Sequence, residues 1–134
     1  MKNRFKTRIH VRFRDIDNMG HVNNAVFFTY FEEGRKAFFN KLLGVSDLSA
    51  FPFILARIGC DFLRPIMLNA QLSIEMWVKD IGNKSFELGY KLADLSDASI
   101  EYAKGESIQV CFDYEKNQSI AVPAELRQKL MEYL

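Results

Sequence analysis

The segment that most constrains the fold is the run of residues 24–43. Phe27, Phe31, Gly34, Phe38 and Leu42 recur at helical spacing on one stripe, and Phe28 and Phe39 widen it. Glu32, Glu33, Arg35, Lys36 and Lys41 take much of the remaining surface. Asn23 is the expected N-cap, because its side chain can accept from free helix N–H groups. Gly44 is the expected stop at the helix C-terminus. Twenty residues at the α-helical rise span about 30 Å. A rod this long and this aromatic needs a broad apolar surface to cover it.

The rest of the chain supplies strands. Ile9, Val11 and Phe13 alternate with His10, Arg12 and Arg14, which predicts a first strand over 6–14. Residues 45–52 read as a loop. Residues 53–63 read as a strand with Ile54, Ala56, Ile58, Cys60 and Phe62 on one face. Arg57 and Asp61 on the other face are too polar for a monomer core. Leu72, Ile74, Met76 and Val78 mark a third strand, and Gly82-Asn83-Lys84 a hairpin turn. Phe86, Leu88, Tyr90 and Leu92 mark a fourth. Ile108, Val110 and Phe112 share one face of a fifth, over 102–114. Pro123 opens a short C-terminal helix to about Tyr133. The predicted class is α+β, a five-stranded antiparallel sheet curled around the long helix. Its outer edge strand is then left to pair with a second copy, or the subunits pack helix to sheet.

Length and composition narrow the function classes. The 134 residues suit one domain over 1–134, and no linker or repeat divides them. Twelve phenylalanines point to a thick core or a large buried subunit contact. A net charge of +1 without long charged runs argues against nucleic acid or a membrane surface as main partner. The basic start is better read as a solvated strand face. Cys60 and Cys111 lie in strand-like runs without metal-ligand spacing, so no metal site and no disulfide is expected. No apolar leader or membrane span is visible, which gives a cytoplasmic expectation.

The chemistry concentrates in the run from Asp15 to Asn24. Asp17, His21, Asn23 and Asn24 crowd one turn between the first strand and the aromatic helix. Asp17, just before a helix N-terminus, should be held ionised by the helix dipole. It can then act as a base on water or as a nucleophile; base-activated water is favoured, but the residues permit both. His21 can share the base role or bind substrate, since its pKa lies near neutrality. Asn24 can position water, and helix N–H groups beyond it can polarise a negative oxygen. Glu33, two turns on, is a candidate to support the site from behind. Each of these has a plainer reading: an Asx turn for Asp17, a structural donor for His21, a cap for Asn23, a solvated helix residue for Glu33.

The order of the motifs resembles the hotdog-fold acyl-CoA thioesterases of the 4-hydroxybenzoyl-CoA thioesterase family. The first strand, Asp17-x-x-Gly20-x-Val22, Phe31-Glu32-Glu33-Gly34-Arg35, Asp61-Phe62-Leu63-Arg64-Pro65, Ser85, Val110-Cys111-Phe112-Asp113 and Pro123-Ala124-Glu125-Leu126 stand in family order over nearly the whole chain. His21-Val22-Asn23-Asn24 is similar to plant-type acyl-ACP thioesterases, with Met19 in place of their asparagine. The resemblance implies a hydrolase whose catalytic carboxylate is Asp17, at a contact between subunits. It implies a backbone oxyanion donor near Ala50-Phe51, reached across that contact, and a CoA-binding role for Lys84 and Ser85. It further implies an acyl-CoA or acyl-ACP substrate, a homodimer or homotetramer, and no cofactor. Two alternatives stay open: a non-enzymatic acyl-ligand binding module, and a hotdog hydratase, whose Asp-x-Asn-Pro-x-His pattern is absent here.

Overall fold

The computed structural model describes residues 3–44 and 52–134. The chain runs β1 (Phe5–His10), a single 3-10 turn (Phe13–Asp15), α1 (Asn24–Leu43), β2 (Phe53–Phe62), β3 (Gln71–Ile81), β4 (Ser85–Asp94), β5 (Glu101–Asp113), β6 (Gln118–Ser119) and α2 (Ala124–Met131). The strands form one antiparallel sheet in the order β1-β3-β4-β5-β2, with the two-residue β6 added to β5. β1 and β2 are the edges of that five-strand path. Every pairing between them is antiparallel.

α1 lies along the inner face, where Leu72, Ile74, Met76 and Val78 of β3 and Phe86, Leu88, Tyr90 and Leu92 of β4 are all buried. Its predicted ends hold. The Asn23 side chain accepts from Ala25 N at 2.9 Å, and Gly44 closes the helix with φ 69°. Tyr30, Phe31 and Phe38 are fully buried, and the Phe31 ring stacks flat on Tyr90 with centroids 4.6 Å apart. Such stacking needs room beneath the ring, which explains the inner face of β5. Directly paired residues share a face, so Ala103, Gly105, Ser107, Gln109 and Cys111 point inward opposite Leu92, Tyr90, Leu88, Phe86 and Phe53. The apolar Ile108, Val110 and Phe112 face the other way.

Three expectations are corrected. β1 ends at His10, not Arg14, because the chain folds at Arg12 into the turn that buries Asp15. A sixth strand, β6, joins the predicted five; at two residues it carries no periodic signal. The face expected for β2 is broken by a bulge between Leu55 and Arg57. A bulged residue reverses the alternation: Phe53 and Leu55 line the α1 side before it, and Ile58, Cys60 and Phe62 after it.

Candidate active site

The sequence between the 3-10 turn and α1 is tied to itself and to its surroundings by its own polar atoms. Asp17 N donates to His21 O at 2.8 Å, Gly20 N to Asp17 O at 3.1 Å, and Ile16 bridges Val22. Gly20, at φ 83°, takes the left-handed conformation this tight return needs. Val22 N donates to Ile66 O at 2.8 Å, so the loop is fastened to the segment that follows β2. Behind it, Asp15 is 1% exposed and accepts from Arg12 N at 2.9 Å, from the Arg12 guanidinium at 3.0 Å and from Tyr30 Oη at 2.7 Å. Its own carbonyl accepts from Asn23 N at 2.9 Å. Asp15 therefore joins the entry to the loop, the N-cap and the second turn of α1.

Asp17 divides its carboxylate between two tasks. Oδ1 accepts from Met19 N at 2.9 Å and from His21 N at 3.3 Å, which is an Asx turn. Oδ2 has no hydrogen-bond partner among the described residues. The side chain borders a pocket of about 240 Å³ shared with His21, Asn24, Phe27, Phe62 and Arg64. Phe27 meets Phe62 edge-on at 5.0 Å and forms an apolar wall. The Asn24 backbone N–H also has no partner among the described residues, whereas Ala25 N and Val26 N are satisfied by Asn23. A fixed carboxylate can act as a base and an open helix N–H can receive a negative oxygen, beside an imidazole and an apolar wall.

Asp17, His21 and Asn24 thus come together. Glu33 does not join them: it is exposed, and its charge is felt by Arg12 and Asp15. Lys84 and Ser85 lie at the β3–β4 hairpin. Ser85 pairs with Val110, which also faces Ile54 near the start of β2, whereas the Asp17 pocket sits at Phe62, the other end of β2. Within one chain the proposed carboxylate and the proposed CoA contacts stand at opposite ends of the sheet. Ala50 and Phe51 lie outside the described residues. The sequence reading passed over Asp15 and Arg64. Asp15 carried a signal in its Arg12-x-x-Asp15 spacing, which suits a short capping turn better than a strand. Arg64, just past the end of β2, stood in the Asp61-Phe62-Leu63-Arg64-Pro65 motif, from which no site role was drawn.

Both thiols are displaced from reactivity. Burial is the first cause at each, and it pushes Cys60 and Cys111 up to about 11, with Asp61 and Glu106 adding to the rise at Cys60. Neither serves as a nucleophile near neutral pH. Among the described residues no group of three or more His, Cys, Asp or Glu side chains could hold a metal ion. No helix among them is long and apolar enough to cross a membrane.

The profile of the Thioesterase-like superfamily matches residues 11–130. The chain belongs to that family. It is a hotdog-fold thioester hydrolase, and acyl-CoA thioesterases are its kin. A thioesterase from Thermus thermophilus, solved with coenzyme A and zinc, is 30% identical and superposes with a TM-score of 0.83 over 93% of this chain and 90% of that one. The long-chain acyl-CoA thioesterase FadM of Escherichia coli is 28% identical over 93% of this chain and 96% of its own length. The uncharacterized protein YsmA of Bacillus subtilis is 36% identical over 64% of this chain, a match that spans only 58% of that relative.

Proposed function

We propose that this enzyme hydrolyses an acyl-CoA, with Asp17 as the base at a site completed by a second copy of the chain. The observation that carries this reading is the Asp17 carboxylate, pinned through Oδ1 and open through Oδ2 into an aromatic-walled pocket at the end of the edge strand β2. A thioester suits so spare a site. Sulfur stabilises its carbonyl poorly, and a thiol of pKa about 8.5 leaves without a strong general acid. Oδ2 orients a water and takes its proton as the water oxygen bonds to the carbonyl carbon. The oxyanion accepts from the Asn24 N–H. Collapse breaks the C–S bond and releases the acid and the thiol, which takes up the proton from Asp17. His21 and the Asn24 side chain hold the water or the substrate.

The second copy follows from the edge. β2 is bonded on one side only, to β5, and exposes Ile54 at 39%, Leu55 at 45% and Phe62 at 42%. A long apolar edge is a template for another strand, and two identical strands pair isologously about a two-fold axis. Antiparallel pairing about the midpoint of β2 sets Phe53 of one copy beside Phe62 of the other. The partner's hairpin, with its Lys84 and Ser85, is then carried toward the Asp17 pocket, where it can meet the CoA.

The test is thiol release from acyl-CoAs of varied length, an aromatic acyl-CoA and an acyl-ACP. Asp17→Asn keeps the Asx-turn acceptor and removes the base, so the variant should remain folded with turnover reduced at least about a hundredfold. Full turnover by the variant on every thioester would remove Asp17 from the chemistry. Tight acyl-CoA binding by the wild type without product would favour a binding module instead.

A further inference from the structure

Arg64 stands at the rim of the Asp17 pocket, which it lines together with His21, Asn24 and Phe27. Its backbone is tied on both sides. Leu63 N and Arg64 N both donate to Tyr102 O, at 2.9 and 3.2 Å, which anchors the residue to β5. Pro65 follows, and it restricts Arg64 to extended conformations. Ile66 is fully buried, and its carbonyl accepts from Val22 N at 2.8 Å, which anchors the same segment to the Asp17 loop. His21 bridges Met67 one residue further on. The side chain is the part left without a tie. Arg4, Arg12 and Arg57 each meet a carboxylate. Among the described residues Arg64 pairs with neither Asp17 nor Asp61, and no hydrogen bond engages its guanidinium. The pocket of the base is therefore bordered by a cation that is fixed at its backbone and unpaired at its tip.

We propose that Arg64 is a catalytic residue that donates to the thioester carbonyl oxygen and stabilises the oxyanion together with the Asn24 N–H. The inference rests on the thioesterase reading. As Asp17 Oδ2 takes the proton of the water, one negative charge leaves the carboxylate and arrives on the carbonyl oxygen. Only interactions that are stronger in the transition state than in the ground state speed the reaction. A guanidinium already paired with Asp17 would hold the charge where it starts. Arg64 is not so paired, and it is free to meet the charge where it arrives. The Asn24 N–H answers one acceptor direction of that oxygen, and a charge-assisted guanidinium N–H suits the other. The phosphates of CoA are a poorer partner for this residue. The whole pantetheine arm separates them from the sulfur, and a pocket of about 240 Å³ does not hold both the thioester and the phosphates. The second copy, paired along β2, would cover the seam where Arg64 stands, and exclusion of water there strengthens the pull of its charge.

The test compares Arg64→Ala with the wild type on one acyl group carried in two ways, as the CoA thioester and as the pantetheine thioester, which has no phosphates. On both carriers alike kcat should fall at least about tenfold, with KM nearly unchanged. Calorimetric binding of the matching CoA thioether, which has no carbonyl oxygen, should equal that of the wild type. Sedimentation and the urea midpoint should also be unchanged, because the side chain is exposed and makes no contact that folding depends on. Turnover within about twofold of the wild type on the CoA thioester overturns the proposal. So does a loss confined to the CoA thioester or a weakened thioether complex, either of which assigns Arg64 to the phosphates. A loss that only follows dissociation of the dimer assigns it to the contact between copies and overturns the proposal as well. Failure of the wild type to hydrolyse any acyl-CoA defeats the thioesterase reading instead.

Discussion

Asp15 and Asp17 stand two residues apart and meet opposite surroundings. Burial alone would raise the Asp15 carboxyl. The bonds from Arg12 N, Tyr30 Oη and the Arg12 guanidinium outweigh it and hold the group below the usual carboxylate range. A carboxyl depressed in the folded state contributes stability that is complete above its unfolded pKa, about 3.9, and is lost as pH falls through the folded value. Asp15→Asn should therefore cost about 1–3 kcal/mol at pH 7, read as a shift in the urea midpoint. The gap to wild type should narrow as pH drops below about 4. A gap that stays constant into acid would show that the charge is not its source. The two aspartates also show what a sequence can reveal of a site. Asp17, His21 and Asn24 are legible because a single turn brings them together. Asp15 is hidden because Val11 and Phe13 extend the strand alternation past the point where Arg12 and Asp15 bend the chain.

At the scale of elements, α1 was legible to its last residue, since an aromatic stripe, an asparagine cap and a glycine stop all mark the same segment. The strands were legible in number and order wherever alternation persists. Their facing was less so. The inner side of β5 is small and polar, because the rings of α1 already fill the layer above it, and periodicity does not say which of two faces turns inward. The bulge at Leu55/Arg57 likewise reverses β2 without any glycine or proline to announce it. Gly105 shows how tightly the layers fit. A Cβ placed there would collide with the Phe31 ring and lie 2.6 Å from the Gly59 carbonyl oxygen, a backbone atom that cannot swing aside. Gly105→Ala should destabilise the protein by about 1–3 kcal/mol despite its single added methyl. The expected observation is a lower midpoint in urea with an unchanged slope. An unaltered midpoint would mean that β5 can retreat from α1 at no cost.

At the scale of the whole molecule, the residues that local reasoning assigned to one site are separated within one chain, and the proposed two-fold pairing of β2 would bring them together. Asp17 with Phe62 stands at one end of that strand; Ser85 lies near the other. Glu33 gains nothing from the pairing, since Arg12 and Asp15 account for its surroundings. The proposed pairing would tie activity to assembly. Ile54 and Ala56 are exposed on β2 and do not border the Asp17 pocket. Lysine at both would bring four ammonium groups into a dimer seam that otherwise gathers apolar side chains, and buried unpaired charge is costly. The Ile54→Lys/Ala56→Lys protein should remain folded by circular dichroism and sediment as a monomer. Its turnover per chain should fall with the fraction of dimer and recover as protein concentration rises. A monomer with full turnover at every dilution would place the whole reaction within a single chain. The open edge of β2 would then need another explanation.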